Sequence, residues 1–158
     1  MPEVTLTIDG RQVSVPAGTT LLLDTSVVLA YLGGGELVTE AAALVMDGFL
    51  RSDRNRGVIS AVTVSETLVR AHGLGAANEV WPILLDFPGL EIRSVDFLVA
   101  AEGARLRARS RVGTPDALIL ATGVMTSCAA LVTNDQGFAK AARDLVPEMA
   151  VHLLSDFV

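Results

Sequence analysis

Residues 20–32 read TLLLDTSVVLAYL, a strand pattern passing directly into a helix pattern. Leu21-Leu22-Leu23 is an uninterrupted apolar run, as expected of a strand covered on both faces of a parallel sheet. Asp24 ends the run. A helical pattern follows from about Ser26 to Tyr31, and Gly33-Gly34-Gly35 stops it. The same alternation continues downstream. Residues 37–51 carry helical periodicity through Leu37, Ala41, Leu44, Val45 and Phe49. Strands are predicted at 58–60, 90–95, 130–133 and 150–154. Helices are predicted over 63–73, 76–87, 97–111, 114–127 and 137–145. Strands separated by helices, with no long hairpin after residue 20, specify an α/β fold around a mainly parallel sheet flanked by helices.

Ahead of this unit, residues 4–15 read as a β-hairpin. Val4, Leu6 and Ile8 alternate with polar residues, Asp9-Gly10 signals a tight turn, and Val13 and Val15 resume the alternation. The segment TLTIDGRQVSVPAGTTLL (residues 5–22) resembles the opening hairpin of the two-iron, two-sulfur ferredoxin-like domain of respiratory NADH dehydrogenases. The resemblance stops after this segment, and the chain has one cysteine, Cys128, which cannot ligate a cluster alone. The expected organisation is therefore an appended hairpin over residues 1–19 and a main domain over residues 20–158. The hairpin is expected to cover the domain or a dimer partner, away from the acidic residues discussed below.

A chain of 158 residues that is 51% apolar and 19% charged has material for one sizeable core, which excludes global disorder. With 4% aromatic residues, that core must be built from aliphatic side chains. No apolar run reaches the roughly 18–20 residues of a spanning helix. The longest, at 21–32, is broken by Asp24. No basic segment followed by an apolar stretch opens the chain, so no membrane association and a cytoplasmic location are expected. The net charge of −6 disfavours a general nucleic-acid coat but not a metal-dependent nuclease, which concentrates carboxylates at its site. Eleven of the twelve basic residues are arginine, and Arg105, Arg107, Arg109 and Arg111 crowd one stretch.

Four carboxylates stand at element ends. Asp24 follows the first strand of the main domain, where open parallel sheets bind ligands. Its plain structural role would be a helix N-cap. Glu66 stands three residues after Thr63, so the two have capping-box spacing. Asp116 follows Thr114-Pro115, a suitable N-cap and first helical position, where the helix dipole favours an acid. The helix that follows is apolar all round, so a carboxylate at its mouth is poorly solvated without a cation. Asp135 follows the strand at 130–133 through Asn134, and its plain role would be an N-cap or Asx turn.

Together the four carry more than any one does. A parallel sheet can bring all of them to one edge, where they would repel one another unless a cation intervened. Carboxylate oxygens favour a hard ion, Mg²⁺ or Mn²⁺. No cysteine–histidine set competes, because His72 and His152 lie in different elements.

The segments LLLDTSVVLAYL, ISAVTVSETLVR, TPDALILATG and LVTNDQGF occur in the order and spacing of PIN-domain proteins. They most resemble the VapC-type toxins of bacterial toxin–antitoxin pairs, over residues 20–158. The resemblance implies a PIN-like three-layer sandwich with metal-binding catalytic acids at Asp24, Glu66, Asp116 and Asp135. It gives Thr25, Ser26 and Thr133 supporting roles as hydroxyl donors, and Asn134 stands beside them with an amide. It further implies Mg²⁺-dependent cleavage of RNA, homodimerisation and inhibition by an antitoxin protein. Two features depart from the family pattern: the N-terminal hairpin, and the run of glycines at 33–35.

In such a site Asp24, Glu66 and Asp116 would hold the principal metal, and Asp135 would complete it directly or through water. A metal-activated water would hydrolyse the phosphodiester. On a helix Arg105 and Arg109 share one face and would grip flanking phosphates, while Arg107 and Arg111 share another. A haloacid-dehalogenase-type phosphatase would place a second aspartate two residues after Asp24, where this chain has Ser26. A non-catalytic PIN-fold module that binds RNA or protein is the alternative.

Overall fold

The computed structural model of the chain describes residues 3–8, 11–33 and 37–157. Strands β1 (Glu3–Ile8) and β2 (Arg11–Pro16) pair antiparallel as a separate two-stranded sheet, with Val4 opposite Val15 and Leu6 opposite Val13. The expected Asp9-Gly10 turn lies outside the described residues, as do Gly34 and Gly35. The main sheet contains β3 (Thr20–Leu23), β4 (Arg56–Ser60), β5 (Leu90–Arg93), β6 (Ala130–Thr133) and β7 (Ala150–Leu153). Its order is β5-β4-β3-β6-β7, and every neighbouring pair is parallel.

Between the strands lie α1 (Thr25–Gly33), α2 (Leu37–Ala43), α3 (Ala61–Gly73), α4 (Ala77–Asp86), α5 (Phe97–Ala108), α6 (Thr114–Met125) and α7 (Gln136–Leu145). A π-helical segment, Leu44–Leu50, continues α2, and a 3₁₀ turn, Leu154–Phe157, follows β7. Alternate residues of the central strands enter two separate cores. Leu21, Leu23, Ile59 and Val132 join Met46, Phe49 and Phe157 on one face. Leu22, Val58 and Leu131 join Leu106, Ile119 and Phe138 on the other. The result is a three-layer α/β sandwich. Coverage on both faces is why β3 and β6 read as unbroken apolar runs rather than alternating ones.

The chain leaves β3 for β4 and β5 on one side, and β6 and β7 fill the other side. The switch point therefore lies between β3 and β6, where doubly wound sheets open a crevice at the carboxyl ends of their strands. Helix α6 packs closely across the sheet below this point. A Cβ on Gly123 would come within 2.5 Å of Leu22 Cδ2 and 3.2 Å of Met149 Cε, so glycine gives this close approach without displacing either side chain.

The hairpin is fastened at the opposite, amino-terminal edge of the sheet. Val15 is fully buried in the core on the α1 and α2 side. The buried Asn55 amide donates to the Pro16 carbonyl at 2.8 Å and the Thr19 carbonyl at 3.2 Å. Gly18 N–H donates to the Arg54 carbonyl at 3.0 Å.

Several local expectations are corrected. The capping box at Thr63 and Glu66 does not form. Ser60 ends β4 and caps α3 itself, accepting from Val62 N–H, so both residues fall inside the helix. Gly113, not Thr114, is the N-cap of α6, and the Thr114 hydroxyl instead accepts from Arg107. The helix expected over 97–111 ends at Ala108, with Arg109 as its C-cap, so Arg107 and Arg111 do not share a helical face.

Candidate functional site

The four acids sit around the carboxyl edge of the sheet at its switch point. Asp24 immediately follows β3, and its backbone N–H extends the ladder to the Val132 carbonyl at 3.0 Å. Its side chain is almost fully buried and accepts two hydroxyl hydrogen bonds on Oδ2, from Ser26 at 2.7 Å and Thr133 at 2.8 Å. Those hydroxyls accept in turn from backbone: Asn134 N–H reaches Ser26 Oγ at 2.8 Å, and Asp135 N–H reaches Thr133 Oγ1 at 3.0 Å. Asp24 is thus a clamped carboxylate. Its side chain does not cap α1; its backbone carbonyl accepts from Val27 N–H at 3.0 Å. Asn134 joins the network through its main chain, and its side chain is exposed.

The neighbouring Thr25 reaches the other way. Its hydroxyl donates to Glu66 Oε2 at 2.5 Å and lies 3.1 Å from the hydroxyl of Thr63. Thr63 is fully buried on α3 one turn before Glu66, a placement that its sequence spacing suggested only as a cap. The dipeptide Asp24-Thr25 therefore ties β3 to β6 through one side chain and to α3 through the next.

Asp116, in the first turn of α6, is half-buried. Burial, and then the charges of Asp24, Asp135 and Glu66 in that order, push its carboxyl up to about 6 from an ordinary 3.8. Asp135 is exposed and caps α7, accepting from Phe138 N–H at 2.9 Å on Oδ1. The plain structural role therefore holds for Asp135, and its Oδ2 is not used by that cap. Among the described residues none of the four acids forms an ion pair; the three salt bridges join Arg51 to Asp47, Arg93 to Glu91 and Arg105 to Glu102.

These observations test the fit of a metal. The donors are hard oxygens, they carry uncompensated charge, and three of them raise the pKa of the fourth. Among the described residues, however, no three such side chains stand close enough together to ligate one ion directly. The two findings are compatible, because Coulomb repulsion reaches beyond coordination distance. The set suits an ion that retains much of its water and touches one or two carboxylates, as Mg²⁺ commonly does. It does not suit a fully dehydrated ion.

A cleft of about 550 Å³ opens beside Asp116 and Asp135, between the α5–α6 loop and α7. Arg109, Arg111 and Lys140 line it. Arg105 does not; its Nε and Nη2 donate to the two carboxylate oxygens of Glu102, at 2.8 and 2.6 Å. The expected pair of phosphate-gripping residues is thus divided, with Arg109 at the cleft and Arg105 outside it. Lys140 was not singled out from the sequence, where it is one polar residue on an amphipathic helix. Neither histidine approaches the acids by any contact: His152 packs edge-on against Phe157, where burial lowers its pKa, and His72 is exposed near the end of α3.

The PIN-domain family model matches residues 21–144, which span all four acids. The chain belongs to the PIN-domain family. This PIN domain is similar in fold to chains of several solved structures. One is VapBC2 from Rickettsia felis bound to a DNA fragment from their promoter, with 17% identity, a TM-score of 0.64, and coverage of 85% of this chain and 98% of that one. A second is a toxin–antitoxin complex from Klebsiella pneumoniae, with 20% identity, a TM-score of 0.65 and coverage of 86% and 98%. A third is FitAcB from Neisseria gonorrhoeae, with 25% identity, a TM-score of 0.64 and coverage of 86% and 98%. No curated protein matches the chain. Among the described residues no single helix is long and apolar enough to cross a membrane.

Proposed function

We propose that this PIN domain is a Mg²⁺- or Mn²⁺-dependent endoribonuclease and the toxin of a toxin–antitoxin pair. The observation that carries the reading is the gathering of Asp24, Glu66, Asp116 and Asp135 at the switch point without a basic partner. Asp24 and Glu66 are held by hydroxyls and offer fixed oxygens to a hydrated cation. Asp116, with its raised pKa, would be half ionised near pH 6 and would ionise fully only well above that pH or when the cation arrives. Asp135 would use its free oxygen on water at the rim. A divalent cation bound there would supply Lewis acidity, lowering the pKa of a water and offsetting charge on the phosphate.

The likeness to toxin–antitoxin complexes supports a protein partner for this chain, an antitoxin that silences it until released. A homodimer acting in the cytoplasm, with residues 1–19 as an addition to the PIN unit, completes the reading.

The test is incubation of the protein with end-labelled RNA and Mg²⁺. Internal cuts that vanish on chelation support the nuclease. The alternative, a non-catalytic PIN-fold binding module, draws its support from the spacing of the acids, no three of which meet at one ion. That reading predicts RNA or protein binding without cleavage at any concentration of Mg²⁺ or Mn²⁺.

A further inference from the structure

The basic residues of this chain are not distributed evenly around the acids. Arg51, Arg93 and Arg105 are spent on ion pairs, Arg107 on the Thr114 hydroxyl and Arg143 on the Val151 carbonyl. Arg111 and Lys140 make no ion pair or side-chain hydrogen bond among the described residues. Both are exposed, and both line the cleft that ends on Asp116 and Asp135. Arg109 stands with them, its charge also felt by Glu102. The third acid on the lining besides Asp116 and Asp135, Asp144, lies one turn from Lys140 but forms no ion pair with it. In a chain of net charge −6, unpaired cations converging on one cleft mark a place for an anion.

The groove lined by Leu29, Leu32, Leu74 and Val80, with Arg70 among them, is a separate surface that includes none of the four acids. A phosphate chain reaching Asp116 and Asp135 through the cleft meets Arg109, Arg111 and Lys140 on the α7 side. At about 550 Å³ the cleft has room for one or two nucleotides.

We propose that Arg111 and Lys140, with Arg109 at the rim, form a one-sided phosphate subsite. They hold the backbone of a single-stranded RNA on one flank of the scissile bond, and the other flank gains no equivalent contact. The inference rests on the nuclease reading above and names the route of its substrate. Arg111 and Lys140 act by binding and are not catalytic residues.

The test uses the full chain with a short single-stranded RNA containing one cleavage site. Neutral methylphosphonate linkages are placed on one flank of that site or on the other. Wild-type protein should lose cleavage efficiency severalfold for one flank and not for the other. Arg111→Ala and Lys140→Ala should each raise KM with kcat unchanged, and should abolish that flank preference when combined. Binding of the same RNA, followed by fluorescence anisotropy in Ca²⁺, should lose about 0.7 from its salt slope with each substitution. Arg105→Ala should change neither quantity. Equal sensitivity to both flanks, or an unchanged salt slope in the double variant, overturns the subsite. Absence of any cleavage by wild-type protein contradicts the nuclease reading instead, and the anisotropy arm then still decides the subsite.

Discussion

Thr133 donates to Asp24 Oδ2 at 2.8 Å across the gap between β3 and β6, and the same hydroxyl accepts the backbone N–H of Asp135 at 3.0 Å. One buried side chain thus sets the carboxylate at the end of one central strand and the backbone that carries a second acid at the end of the next. The hydroxyl cannot be replaced by a methyl without leaving a nearly buried carboxylate short of a donor. Thr133→Val, which preserves shape, should cost about 1–3 kcal/mol in urea unfolding. It should also lower cleavage, because Asp24 loses its orientation. Thr133→Ser should recover most of both. Equal stability and activity in the valine variant would remove Thr133 from the positioning network.

The raised pKa of Asp116 gives a pH dependence whose sign is fixed. Its pKa is about 6 in the folded chain and near 3.8 in the unfolded one, so the folded state holds the proton more tightly between those values. Below about 3.8 both states are protonated, and this group contributes nothing. As pH rises from there through about 6 its ionisation progressively destabilises the metal-free fold, and above 6 the cost is complete. Asp116→Asn should therefore raise the melting temperature of metal-free protein at pH 7.5 and have little effect near pH 4. A dipole-complementing acid would behave oppositely, its loss costing about 0.3–1 kcal/mol. Thermal melts in EDTA at the two pH values separate these outcomes.

Mg²⁺ affinity should follow the same group. Binding should release protons near pH 6 and weaken as pH falls below it, because the ion must displace the proton on Asp116. Titration calorimetry in two buffers of different ionisation enthalpy would detect the released protons. No proton release at pH 6 would place the ion away from Asp116.

The hairpin should matter to stability and not to chemistry. Deleting residues 1–18 removes the buried Val15 and the Pro16 carbonyl that Asn55 uses, both at the edge of the sheet opposite the acids. The truncated chain should unfold at lower urea or weaken as a dimer, with metal-dependent cleavage per folded molecule retained. A folded, dimeric truncation without cleavage would place the hairpin in the active site.

The strands and the sheet type were legible because coverage on both faces leaves apolar runs such as Leu21-Leu22-Leu23. Asp24, Asp116 and Asp135 were legible as a group because each follows a strand or opens a helix. What escaped depended on competition between neighbours. Ser60 and Thr63 are both good caps, and the one that ends the strand directly starts the helix, which moved Glu66 from a cap to an interior site. The π-helical segment at Leu44–Leu50 has no separate signature in hydrophobic spacing. Asn55 lies in a polar run, RNRG, that reads as an exposed turn, and its burial arises only when the hairpin folds over it. Lys140 and Arg111 are distant in sequence, and only the packing of α7 beside the α5–α6 loop brings them to one cleft.

Whether the four acids at the switch point serve a divalent cation in cutting RNA is decided by the initial rate of cleavage of one RNA by wild-type protein and by Asp24→Asn, each in Mg²⁺ and in excess EDTA. Cleavage by wild-type protein is expected in Mg²⁺ alone, with the Asp24→Asn rate lower by about a hundredfold or more, the scale on which losing one fixed electrostatic group in an active site is felt. Undiminished cleavage in EDTA, or a full rate from folded Asp24→Asn protein, would contradict that role.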